Sequence, residues 1–248
     1  MKEVSHMLKM KRFLVGLSAV TVFTLSLGQA FATGEKAGIT ADEALKMLLD
    51  GNVRFVEGKQ ESKKLGDDRR KELSKGQNPF AIILSCSDSR VPPEHIFNQG
   101  LGDLFVIRVA GNVADPIELG SIEYGAEHLN VPLVIVLGHK FCGAVKATVA
   151  GGKPEGNIEA IVKKINPAVA TAKKKAKDKD ALLDAAIDEN AKLTAKTLTE
   201  KSAILKHLVE EGKLKIVVGV YDLASGKVEL LNTGEEGKVS GGHTEHKH

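Results

Sequence analysis

Short apolar runs recur along the chain at residues 80–85 (FAIILS), 104–109 (LFVIRV), 131–137 (VPLVIVL) and 214–220 (LKIVVGV). Runs of this length, rich in β-branched residues and without polar alternation, predict strands buried on both faces. The intervals between them carry apolar residues at helical spacing. Residues 117–129 predict one helix, a Lys- and Ala-rich stretch over 158–177 another, and roughly 185–211 a long one ending at Gly212. Pro92 and Pro93 stop regular structure, with a short helix to Phe97, and Gly111-Asn112 predicts a turn. Residues 221–231 predict a hairpin through Ser225-Gly226. Strand, helix, strand in this order implies parallel pairing with right-handed crossovers, hence an α/β fold with a central, mainly parallel β-sheet flanked by helices.

Ahead of the first strand, Thr40-Ala41-Asp42-Glu43 forms a capping box. The helix it opens sets Ala44, Met47, Leu48 and Val53 on one side and stops near Gly58. It has no partner nearby in sequence and is expected to pack on a partner subunit. Residues 59–78 are charged and solvated, with a helical turn at 69–74.

The two ends change the domain picture. Lys9, Lys11 and Arg12 precede fifteen uncharged residues (13–27) and then Ala30-Phe31-Ala32, the pattern of a signal peptide over 1–32 cleaved near Ala32. An uncleaved anchor is the alternative, although the run falls short of the ~20 residues of a spanning helix. The reading is a periplasmic or secreted protein with no membrane association after cleavage. Its single domain spans 33–232, followed by a disordered tail, 233–248, with His243, His246 and His248. The formal charge of +3 comes from 35 basic and 32 acidic residues. Without the leader 31 of each remain, so the charge gives no support for a nucleic-acid partner.

Only two cysteines are present, Cys86 and Cys142. In an exported protein one disulfide is the plain expectation. Their neighbours offer another reading. Cys86 follows the first strand and His139 the third, with His139 three residues before Cys142, and ligand sites in open parallel sheets lie at the carboxyl ends of strands. Two thiolates and an imidazole suit Zn²⁺ and leave a fourth position for water, as in a catalytic site. Asp88 and Arg90, at i and i+2, share a face near that metal. Free, Asp88 would close the site; held by Arg90, it would orient a zinc-bound hydroxide.

These residues carry a family resemblance. Cys86-Ser87-Asp88-Ser89-Arg90 and Gly138-His139-Lys140-Phe141-Cys142-Gly143, with GDLFVIRVAGN at 102–112 and Ser121-Ile122-Glu123-Tyr124, resemble the β-class carbonic anhydrases. The resemblance runs from about Thr40 to Leu231. It implies one zinc per chain on Cys86, His139 and Cys142, with Asp88 and Arg90 as the catalytic dyad. It implies substrate-binding positions at Gln77, Phe105, Tyr124 and Gly143, and a proton shuttle at His128 as against an ordinary surface histidine. Its other branch uses a Val-Arg-Tyr set for inhibitory bicarbonate, and Val91, Arg108 and Tyr124 are present. That branch's tryptophan is replaced by Ile83, so the open, plant-like site is expected. The implied activity is reversible hydration of CO₂ to bicarbonate and a proton, in a homodimer or tetramer of dimers. Hydrolysis of CS₂ or carbonyl sulfide, and non-catalytic binding of zinc or bicarbonate, are the alternatives.

Overall fold

The protein is described here from a computed structural model, over residues 38–232. The expected signal peptide and the histidine-containing tail lie outside the described residues. Five strands form one sheet in the order β2-β1-β3-β4-β5. They are β1 (Ala81–Ser85), β2 (Leu104–Arg108), β3 (Leu133–His139), β4 (Lys215–Tyr221) and β5 (Val228–Leu231). The pairs β1·β2, β1·β3 and β3·β4 are parallel; β5 returns antiparallel on β4. The predicted hairpin is therefore present, turning through Gly226 at φ +74°.

All of β1 and β3 is buried, as uninterrupted apolar runs require of strands covered on both faces. β2 carries the same kind of sequence but lies at the sheet edge and is only half-buried. The expectation of a second fully buried strand fails for that reason. Side chains alternate across the sheet. Ile82 and Leu84 point into one core with Ile122, Val134 and Leu198, and Ala81 and Ile83 into another with Leu48, Phe97 and Ile135.

The helices are α1 (Ala41–Val56), α2 (Asp67–Leu73), α3 (Pro93–Ile96), α4 (Pro116–Glu123), α5 (Gly143–Ala150), α6 (Ile158–Ala172), α7 (Lys179–Lys201) and α8 (Ala203–Glu210). α4 runs on into a π turn, Tyr124–His128. The capping box forms as predicted: the Glu43 carboxylate accepts from Thr40 N at 2.7 Å, and Thr40 Oγ1 accepts from Glu43 N. α1 packs one side on distant parts of its own chain. Ala44 and Leu48 are buried in the core shared with α3, and Asn52 Nδ2 donates to the Ile96 and Gly226 carbonyls. Met47 and Val53 stay exposed, so the four apolar residues do not form one buried stripe.

The long helix expected over 185–211 is two helices. Ser202 leaves helical geometry at φ −121°, ψ 112°, and its hydroxyl accepts from Leu205 N, capping α8. Among the described residues no helix is long and apolar enough to cross a membrane.

Candidate metal centre

The carboxyl ends of β1 and β3 bring the sequence-distant residues together. Ser85 pairs with Leu137 in register, so Cys86, just past β1, and His139, closing β3, emerge at one end of neighbouring strands. Cys142 is the N-cap residue of α5, where the free N–H groups of the first turn favour a thiolate. Cys86, His139 and Cys142 each place one ligand atom within 4.8 Å of the others, all buried. Neither cysteine is in a disulfide. The plain expectation of one bridge is not what the fold contains.

The chemistry of this donor set fits a metal. His139 Nδ1–H donates to the Lys140 carbonyl at 2.9 Å, which leaves the bare Nε2 facing the cysteines. Nε2 is fully buried and has no hydrogen-bond partner among the described residues, an arrangement that a cation would satisfy. Val113, Val145, Ile165 and Val169 wall the cysteines with apolar surface. The two thiols are pushed in opposite directions. Cys86 is lowered, chiefly by a hydrogen bond from Cys142, with help from His139 and the N–H groups of Asp88 and Gly111 against burial. Cys142 is raised by the same neighbour and by burial.

Asp88 is not free. Arg90 Nε donates to its Oδ1 at 2.9 Å and Nη2 to its Oδ2 at 2.7 Å, a bidentate fork, and Arg90 N adds a third bond to Oδ1. The Arg90 hydrogen bond holds the carboxyl well below the usual carboxylate range, against burial. Oδ2 still lies 3.9 Å from His139 Nε2. The carboxylate thus sits beside the metal position while held by Arg90.

Arg108 has a role that sequence reasoning missed. Its Nε donates to the Cys86 carbonyl at 3.0 Å and its Nη2 to the Asp88 carbonyl at 2.5 Å, pinning the loop that carries the thiol and the dyad. Val91 is wholly buried. The arginine interrupting an apolar strand was the available signal.

The remaining predicted residues divide. Gly143 directly follows Cys142, and a Cβ there would meet nothing within 4 Å, so open space adjoins the cysteine. Phe105 pairs with Ile82, four residues before Cys86, which at ~3.3 Å per residue sets it ~13 Å down the sheet from the thiol. The Tyr124 ring lies tilted against Phe105 with centroids 6.1 Å apart, and His128 lies tilted against Tyr124 at 5.4 Å. Gln77 is exposed and precedes β1, at its opposite end from Cys86. These four do not join the metal cluster of their own chain.

Residues 81–228 match the carbonic anhydrase family. A carbonic anhydrase of Mycolicibacterium smegmatis is 40% identical over 201 residues, covering 79% of this chain and 96% of its own. Carbonic anhydrase 2 of Mycobacterium tuberculosis is 40% identical over 201 residues, covering 78% and 96%. Among solved structures, the Coccomyxa β-carbonic anhydrase, in complex with acetazolamide, superposes with a TM-score of 0.61 at 26% identity. It covers 65% of this chain and 75% of that one.

Proposed function

The chain belongs to the β-carbonic anhydrase family, zinc enzymes that hydrate CO₂ reversibly to bicarbonate and a proton, and we propose how its own residues serve that reaction. The observation that carries the proposal is the buried trio Cys86, His139 and Cys142 with an otherwise unpartnered imidazole nitrogen. These three would hold zinc through two sulfurs and one nitrogen. When bound, zinc supplies Lewis acidity, making water acidic enough (pKa ~7) to act as a nucleophile at neutral pH.

Asp88 would accept a hydrogen bond from the nucleophile at Oδ2 and so orient it, and Arg90 keeps that oxygen from becoming a fourth ligand. The fork to Arg90 supports the open, plant-like site over the closed one. The apolar wall of Val113 and Val145 suits a small apolar substrate and excludes competing water. His128, beside Tyr124, would pass protons to buffer.

We infer that a second copy completes the site. Gln77, Phe105, Tyr124 and His128 cannot reach the metal position of their own chain, yet Tyr124 is 40% exposed and adjoins the half-buried edge strand β2. A two-fold dimer, or a tetramer built from dimers, would present them to the partner's cysteines. We also infer export, from the basic and then apolar leader ending at Ala32; amino-terminal sequencing of the secreted protein tests it, and an intact leader refutes it.

The central test combines metal analysis, free-thiol titration and stopped-flow CO₂ hydration on purified protein. The expected result is one zinc per chain, two titratable thiols once the metal is removed, and hydration at pH 7. A Cys86–Cys142 disulfide without stoichiometric zinc would overturn the reading.

A further inference from the structure

Asn190 lies in the middle of α7 on its buried side, beside Ala186, Ile187, Ala191 and Thr194, and is itself only 1% exposed. An amide on an apolar helix face calls for an account. Its Nδ2 donates at 2.7 Å to the carbonyl of Gly111, 79 residues away. Because a carbonyl only accepts, this bond settles which way the amide faces. The Oδ1 is left without a partner among the described residues. For packing alone an apolar side chain would serve better, since it buries no orphaned acceptor.

What the amide holds is a turn that needs holding. Gly111 has φ +73°, a backbone conformation that favours glycine, and a Cβ there would stand 2.7 Å from Ile165 Cδ1 and 3.3 Å from Ala144 Cβ. The next residue, Asn112, is also left-handed at φ +45°, and its buried Nδ2 has no partner among the described residues. The N–H of the clamped Gly111 donates to Cys86 Sγ at 3.3 Å. A single path of two hydrogen bonds therefore joins α7 to a sulfur of the metal centre.

We propose that Asn190 is a positioning residue of the metal centre: by clamping the Gly111 turn it keeps the Gly111 N–H aimed at the Cys86 sulfur, and so tunes metal affinity and the electron donation of that sulfur. The proposal rests on the zinc reading above. Loss of a group that orients a ligand from behind commonly costs about 10–100-fold in metal affinity.

The test compares Asn190→Leu, Asn190→Ala and Leu198→Ala with wild type. Leu198 is fully buried on α7, away from this path, and its truncation reports a loss of packing alone. Zinc affinity is read by competition with a chromophoric chelator, and the thiolate-to-cobalt charge-transfer band is read after cobalt substitution. Both Asn190 variants are expected to lose about 10–100-fold in zinc affinity and to shift the cobalt band. Leu198→Ala should lower the melting temperature and move neither. Folded Asn190 variants with wild-type affinity and an unshifted band overturn the proposal.

A second measurement needs no variant. In ¹¹³Cd-loaded, ¹⁵N-labelled wild type, scalar coupling from cadmium to the Gly111 amide is expected, and its absence also overturns the proposal. Failure of the wild type itself to bind stoichiometric metal would remove the underlying zinc reading, a result distinct from either of these.

Discussion

Asp88 has two claims on its oxygens, one from Arg90 and one from the metal position beside His139. The bidentate fork favours Arg90 in that competition and leaves Oδ2 3.9 Å from the imidazole nitrogen. Asp88→Asn removes the charge and half of the acceptor capacity while leaving the donors of the metal untouched. We expect kcat/KM to fall by about 100-fold with zinc content unchanged, measured by stopped flow and metal analysis. Retained activity would remove Asp88 from the reaction. The same pair has a pH signature. Arg90 lowers the folded carboxyl below its ordinary value, so the stabilisation is complete above pH ~3.9 and is lost as pH falls towards the lowered value. The melting difference between wild type and Asp88→Asn should therefore shrink below pH ~4, and a constant difference down to pH ~3 would contradict it. His128→Ala should lower kcat in dilute buffer more than kcat/KM, with imidazole restoring it; no rescue would leave His128 an ordinary surface residue. At this scale the ligands and dyad were legible because zinc demands particular residue types. Arg108 and Asn190 were not, since what they bind is backbone, which leaves no spacing in a sequence.

Among the elements, β1 and β3 carry the site, and their apolar runs announced them without ambiguity. The run at 104–109 looked the same and became the edge strand, because a strand's own residues do not say what lies beside it. The break between α7 and α8 is a second instance. Residues 185–211 keep helical spacing throughout, yet Ser202 turns out of the helix, and its hydroxyl caps α8 at 2% exposure. A lone serine inside a periodic stretch reads equally as an interior residue or a cap. Ser202→Ala should destabilise the protein by about 1 kcal/mol in urea unfolding and leave CO₂ hydration as it is. An unchanged unfolding midpoint would show that the hydroxyl contributes nothing. α1 was expected to wait for a partner subunit. Its Ala44 and Leu48 close the core over α3, while Met47, Val53 and Val56 stay exposed and available to a neighbour.

For the whole molecule, the residues of the proposed site fall into two groups that one chain cannot unite: the metal trio and dyad at the carboxyl end of the sheet, and Gln77 and Phe105 towards its other end. If two chains share each site, co-expressing Cys142→Ser with Gln77→Ala gives mixed dimers in which one site of two is whole. Activity should then recover to about a quarter of wild type, above either variant alone, given random pairing across a two-fold interface. No recovery in verified mixed dimers would place each site within a single chain. By itself the sequence determined the strand-helix alternation, the capping box, the zinc-type donor set and the paired Asp88 and Arg90. All of these follow from neighbours a few residues apart or from the narrow chemistry of metal ligands. The order of the strands, the sequestering of Asp88 by Arg90, and the separation of Gln77 and Phe105 from their own chain's cysteines were decided only in three dimensions. The reason is physical: such contacts join residues whose proximity depends on how every intervening element packs, and no local pattern records it.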